Sequence, residues 1–235
     1  MPFFFFDNYY ILFVLPALIL ALIAQQMVSS RFRKYSAVKN HRGMTGAQAA
    51  EEVLKTHGVY DVKIEGIAGN LTDHYDPRGN VIRLSKNVYD STSVAAVGIA
   101  AHEAGHAVQY AKGYGPIKIR QAIIPVTKIG SSLSMPLILI GLFFTAQLGD
   151  LAEMLFLLGI ALFGLATVFQ VITLPVEFNA SRRAVETLES TRILYEDELA
   201  QTKKVLSAAA LTYVAALAVS LGQLLRLLLI YNRRR

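Results

Sequence analysis

Apolar residues gather along this chain in four long runs, roughly Tyr9–Val28, Ala122–Gln147, Leu151–Pro175 and Leu206–Ile230, separated by segments where charges return every few positions. A helix crossing ~30 Å of hydrocarbon needs about 20 mainly apolar residues, and each run is long enough. The pattern predicts about four membrane helices. Met1–Asn8 carries no Lys or Arg, and no A-x-A-like site precedes Arg31–Lys34, so the first run is expected to remain as an anchor.

The segment between the first two runs, Ser29 to Arg120, has mixed local character. Ala47–Lys55 is a run of strong helix formers, with Thr45 or Gly46 as cap and Gly58 as stop. Asp61–Ile67 and Asn80–Ser85 alternate with period two and predict short strands, whereas Leu71–Gly79, rich in Asp, Pro and Gly, predicts a loop. From Ser91 or Ser93 an Ala- and Val-rich helix should run to about Lys112 and stop at Gly113. A second polar segment, Glu177 to Lys204, should be helical, with Val185, Leu188 and Ile193 among its charges.

Composition agrees with a membrane protein: 54% of residues are hydrophobic, more than one soluble core needs. The net charge of +6 comes from 23 Lys and Arg against 17 Asp and Glu, and it collects beside the apolar runs at Arg31, Arg33, Lys34, Lys39 and Arg42, at Arg182, Arg183, Lys203 and Lys204, and at Arg233–Arg235. That distribution suits lipid headgroups as partners and excludes the aromatic-interleaved basic stripe of a nucleic-acid binder. With no cysteine in the chain, a bound metal has to use His, Asp or Glu.

Such residues meet in Ala101-His102-Glu103-Ala104-Gly105-His106-Ala107, an H-E-x-x-H motif inside the predicted helix. Positions i and i+4 share a helix face, so both imidazoles can reach one ion at the ~2.0–2.1 Å of a zinc–nitrogen bond. Glu103 lies one residue round the helix, placed to take a proton from a water without being a ligand. Two histidines and a glutamate among Ala, Val and Gly cost several kcal/mol if buried unpaired, so a shared partner is expected. Catalytic zinc needs a third protein ligand. His41 adjoins the basic run and His57 precedes Gly58, which leaves carboxylates. Glu177 is one candidate, where the third apolar run ends; Asp73 and Asp76 are others.

Three stretches beyond the motif carry a family resemblance. With Gly43-Met44-Thr45-Gly46, the stretches Leu71-Thr72-Asp73-His74-Tyr75-Asp76-Pro77, Ala101–His106 and Leu174-Pro175-Val176-Glu177-Phe178-Asn179-Ala180-Ser181-Arg182-Arg183 resemble the YugP-type membrane zinc metallopeptidases, and more distantly the HtpX and CAAX-type enzymes. The resemblance implies a mainly α membrane protein with a small α+β zincin-like peptidase domain and one zinc per chain. It also implies a gluzincin-type site with Glu177 as third ligand to His102 and His106, Glu103 as general base, and a protein or peptide substrate. HtpX-like relatives have an Asp four residues after that glutamate, where this chain has Ser181. Beside the zinc, His74 would donate to the oxyanion, as would Arg182 or Arg183, and the Asn80–Ser85 strand would offer an edge to an extended substrate.

The expected division is an anchor over 1–30, a peptidase domain over 31–120, two membrane helices over 121–175, a helix carrying the third ligand over 176–205, and a C-terminal apolar helix with basic tail over 206–235. Positive charges around the peptidase segments predict a multi-pass cell-membrane protein whose active site faces the cytoplasm. A full crossing by the last run would place Arg233–Arg235 outside, against that rule, and Arg226 lies within the run. Two rival functions share the histidines. A site-2-type intramembrane protease needs its motif in a spanning helix, yet the apolar run before His102 is short and no N-P-x-x-x-L-D-G-like segment follows. A non-catalytic metal-binding membrane protein would have no need of Glu103. Oligomeric state has no signature here.

Overall fold

The computed structural model describes residues 7–234. Met1–Phe6 of the expected anchor and Arg235 of the basic tail lie outside the described residues. The chain divides into two compact units, one of Met1–Ile23, Ile119–Leu174 and Thr212–Arg235, the other of Ala24–Lys118 and Pro175–Leu211.

Helices dominate the first unit. α1 (Leu15–Ser36) follows a π-helical turn at Tyr10–Val14, α5 is Gly115–Phe143, a single turn α6 is Thr145–Leu148, α7 is Asp150–Ser190 and α8 is Glu196–Arg234. Four of these helices are long and apolar enough to cross a membrane. Small residues set their close approaches: a Cβ on Gly159 would lie 2.8 Å from the Ser134 carbonyl, and one on Gly222 would lie 2.5 Å from that of Phe13. Leu151, Met154, Leu158, Val168 and Val171 point outward, as lipid-facing positions should. α8 does not stop at Arg226. That residue is 4% exposed and donates to Asp7 Oδ2 from Nε at 2.9 Å and Nη2 at 2.7 Å, while the Tyr231 hydroxyl donates to Glu153 at 2.8 Å. The end of α8 therefore lies beside the approach to α1 and the start of α7.

The second unit holds α2 (Gly46–Thr56), β1 (Lys63–Ile67), β2 (His74–Asp76), β3 (Val81–Ser85), α3 (Lys86–Tyr89) and α4 (Val94–Ala111), with the inner ends of the long helices. Thr45 caps α2 through a capping box with Gln48. Ser93 caps α4 by accepting from the Ala96 N–H at 3.2 Å, and Gly113, with φ 65°, ends it. β3 pairs parallel with β1 and antiparallel with β2, in the order β1-β3-β2. α4 is buried along nearly its whole length, packed among α2, α3 and the sheet.

Three expectations change. Leu71–Gly79 is not all loop, because His74–Asp76 pairs with β3, a strand too short to show an alternation. β3 is the central strand, so it cannot offer the substrate edge expected of it; β1 and β2 are the edges. The third apolar run and the first part of the charged segment, as far as Ser190, form one 41-residue helix, about 60 Å long at 1.5 Å per residue, twice the ~30 Å of a hydrocarbon core. Pro175 lacks one N–H but does not end α7. The break comes later, at Thr191–Tyr195, where Arg192 takes φ 54° and Glu198 caps α8 by accepting from the Tyr195 N–H at 2.8 Å.

Candidate metal centre

α4 and α7 supply the site, and a glycine lets them meet. A Cβ on Gly105 would lie 2.6 Å from the Ala180 carbonyl, so the α7 backbone packs directly on the motif's own turn. A Cβ on Gly98, seven residues and two turns earlier on the same face, would lie 2.5 Å from Thr202 Cγ2. Gly105→Ala is expected to push α7 outward, cost about 1–3 kcal/mol by overpacking and weaken metal binding. Thermal unfolding and zinc titration would check it, and a parent-like result would deny that this contact sets the spacing.

With the helices so close, His102 Nε2 and His106 Nε2 each lie 3.4 Å from Glu177 Oε2. The three ligand atoms lie within 4.8 Å of one another, and the Glu177 side chain is 4% exposed. Ligands ~2.1 Å from a tetrahedral centre are separated by about 3.4 Å, so the spacing fits zinc. Burial alone lowers the pKa of His106, but the Glu177 and Glu103 carboxylates, with the Gln109 amide, together more than reverse this, so the net direction is up. The set favours a positive charge, which a proton or a metal ion can supply.

Glu103 stands beside this group without joining it. Its Oε2 accepts from the Tyr75 N–H of β2 at 3.0 Å, and burial pushes its carboxyl above the ordinary glutamate value. Other contacts orient the imidazoles: His102 Nδ1 is 3.0 Å from Ser181 Oγ, and His106 Nδ1 is 3.0 Å from Gln109 Oε1.

Other predicted residues have different partners. His74 is exposed on β2, its Nδ1 donating to the Thr72 carbonyl at 2.8 Å, and it is not among the three clustered ligand residues. Arg183 donates from Nε to Asn179 Oδ1 at 2.9 Å, and Arg182 is exposed, 3.9 Å from Glu186. Asp73 accepts from the Ser85 N–H at 2.7 Å, and Asp76 pairs with Arg83 at 2.7 Å, so neither rival acid joins the cluster. His41 bonds Glu198 at 2.7 Å, and His57 Nδ1 meets the Val53 carbonyl at 2.9 Å. Sequence reasoning missed Gln109 and Asn179. The one available signal was spacing: Gln109 lies three residues after His106, on its face of α4.

The fold and donor set define a membrane protein with a His102, His106 and Glu177 cluster that could hold a metal ion, and comparison with known proteins points to the same class. The family profile described as "Putative neutral zinc metallopeptidase" matches residues 10–232, and the chain belongs to that family. It is similar to the "Putative membrane protease YugP" of Bacillus subtilis (strain 168), 46% identical over 226 residues, which are 96% of this chain and 98% of that protein. No solved structure matches.

Proposed function

We propose that this chain is a membrane-embedded zinc metalloendopeptidase of gluzincin type, with His102, His106 and Glu177 as zinc ligands and Glu103 as general base. The observation that carries the reading is the convergence of two imidazole nitrogens from α4 and a buried carboxylate oxygen from α7 at 3.4 Å separations, with Glu103 on the next position of α4. Zinc held there supplies Lewis acidity, lowering the pKa of water towards ~7 and polarising a peptide carbonyl. Glu103 takes the proton of the attacking water as the oxygen adds to the carbonyl carbon, then delivers it to the amine nitrogen as the C–N bond breaks. The Tyr75 N–H steadies one oxygen of that carboxylate. β2, the edge strand beside Glu103, is the strand along which an extended peptide would add. His74, Arg182 and the Nη groups of Arg183 remain candidate donors to the oxyanion.

Packing of α4 among α2, α3 and the sheet favours this reading over a site-2-type protease, and the water-activating position of Glu103 favours it over a metal-binding scaffold. Comparing the membrane proteome of cells carrying the parent with that of cells carrying Glu103→Gln tests it. Cleavage products specific to the parent are expected, and identical proteomes at equal expression would oppose hydrolysis.

The peptidase segments are assigned to the cytoplasmic side by the Arg31–Arg42 and Arg182–Lys204 charges. With α8 returning to Asp7, Asp7 and Arg233 then lie outside, and Arg233 departs from the rule there. A reporter inserted near Asn70 should be shielded from impermeant reagent in intact cells, and labelling from outside would reverse the orientation.

A further inference from the structure

We infer that Gln109 sets the tautomer of His106 and that Asn179 and Arg183 hold Gln109 in the orientation this requires. The inference rests on reading His102, His106 and Glu177 as ligands. A contact between an imidazole nitrogen and a side-chain amide is ambiguous until the amide's orientation is known, since its oxygen accepts and its nitrogen donates. Two groups with fixed roles remove the ambiguity. Arg183 Nε can only donate, so the Asn179 atom 2.9 Å away is Oδ1. The Val176 carbonyl can only accept, so the Gln109 atom 2.7 Å away is Nε2. Gln109 Nε2 is also 3.0 Å from Asn179 Oδ1, in agreement with both assignments.

Gln109 therefore turns Oε1 towards His106, and Nδ1 of that ring carries the hydrogen it donates. In the neutral ring Nε2 is left with its lone pair, on the side of Glu177 Oε2. Two acceptors then face one another across 3.4 Å, an arrangement that a cation between them satisfies. Gln109 is fully buried and Asn179 is 6% exposed, so water has little chance to substitute for either amide. Ser181 gives His102 no such instruction, because a hydroxyl can donate or accept. The relay also ties the helices together. Val176 and Asn179 flank Glu177 on α7, so the amide that orients one ligand holds the turn that carries another. Arg183 is then a positioning residue, its Nε committed to Asn179.

The full-length protein in detergent provides the test, with zinc affinity from chelator competition, the visible absorption of the cobalt-substituted site, and thermal unfolding of the metal-free form. Gln109→Met keeps volume and removes the acceptor; zinc should bind 10- to 100-fold more weakly, with altered cobalt bands. Gln109→Glu keeps an oxygen for Nδ1 but loses the donor to Val176 and Asn179, so it should recover only part of the affinity. If Gln109→Met does not fold, the second pair decides. Asn179→Asp keeps both acceptor contacts and should bind zinc like the parent, whereas Asn179→Leu, which touches neither histidine, should weaken binding and shift the cobalt bands. A folded Gln109→Met or Asn179→Leu protein with the parent's affinity and spectrum would overturn the inference. A parent that binds no zinc would instead defeat the ligand reading on which it rests.

Discussion

Glu103→Gln is expected to leave zinc bound while peptide hydrolysis falls by about 100-fold or more. The substitution keeps the length and planarity of the side chain, and the amide oxygen can still accept from the Tyr75 N–H at the 3.0 Å now bridged by the carboxylate. What is lost is a group able to take a proton. Since Glu103 stands outside the three-atom ligand cluster, the metal should be indifferent to the change. Zinc content beside turnover on a protein substrate makes the measurement, and loss of metal together with activity would place Glu103 among the ligands.

Glu177→Ala should have the opposite signature, with metal lost and activity lost as a consequence. Two imidazoles would remain, without a third donor and without the negative charge that balances a dication, and zinc affinity should fall by orders of magnitude. Ser181→Ala, one turn further along α7, is the control. It removes a 3.0 Å contact to His102 Nδ1 but no ligand, so zinc should be retained at modestly reduced affinity. Equilibrium dialysis against buffered zinc separates the cases. A Glu177→Ala protein that binds zinc as tightly as the parent would mean that another acid supplies the third oxygen.

How far the site could be seen in advance depended on how local each signal was. α4 was legible because cap, composition and stop agree within twenty or so residues, and the motif's i, i+4 spacing has a geometric meaning on a helix. The length of α7 was not legible: composition changes at Pro175 from apolar to charged, which marks where a span should end, but a helix can carry on past a proline whose freed carbonyl finds another partner. β2 escaped because three residues cannot display a period, and its formation depends on β3. The edge assigned to β3 failed for the same reason, since strand order is a non-local property. Arg226 reads in sequence as a charge that should halt a span; its partner Asp7 lies 219 residues away, beyond any windowed pattern. The relay through Gln109 and Asn179 was hidden because neither residue is charged or metal-binding, and its meaning comes from hydrogen bonds between helices distant in the chain.

Whether His102, His106 and Glu177 hold zinc together can be read from zinc-edge X-ray absorption on the purified parent, with metal counted in the same sample. The predicted result is about one zinc per chain, four-coordinate, with two imidazoles and the remaining ligands oxygen at ~2.0–2.1 Å. Metal-free protein after gentle purification, or a first shell holding fewer or more than two imidazoles, would contradict that ligation.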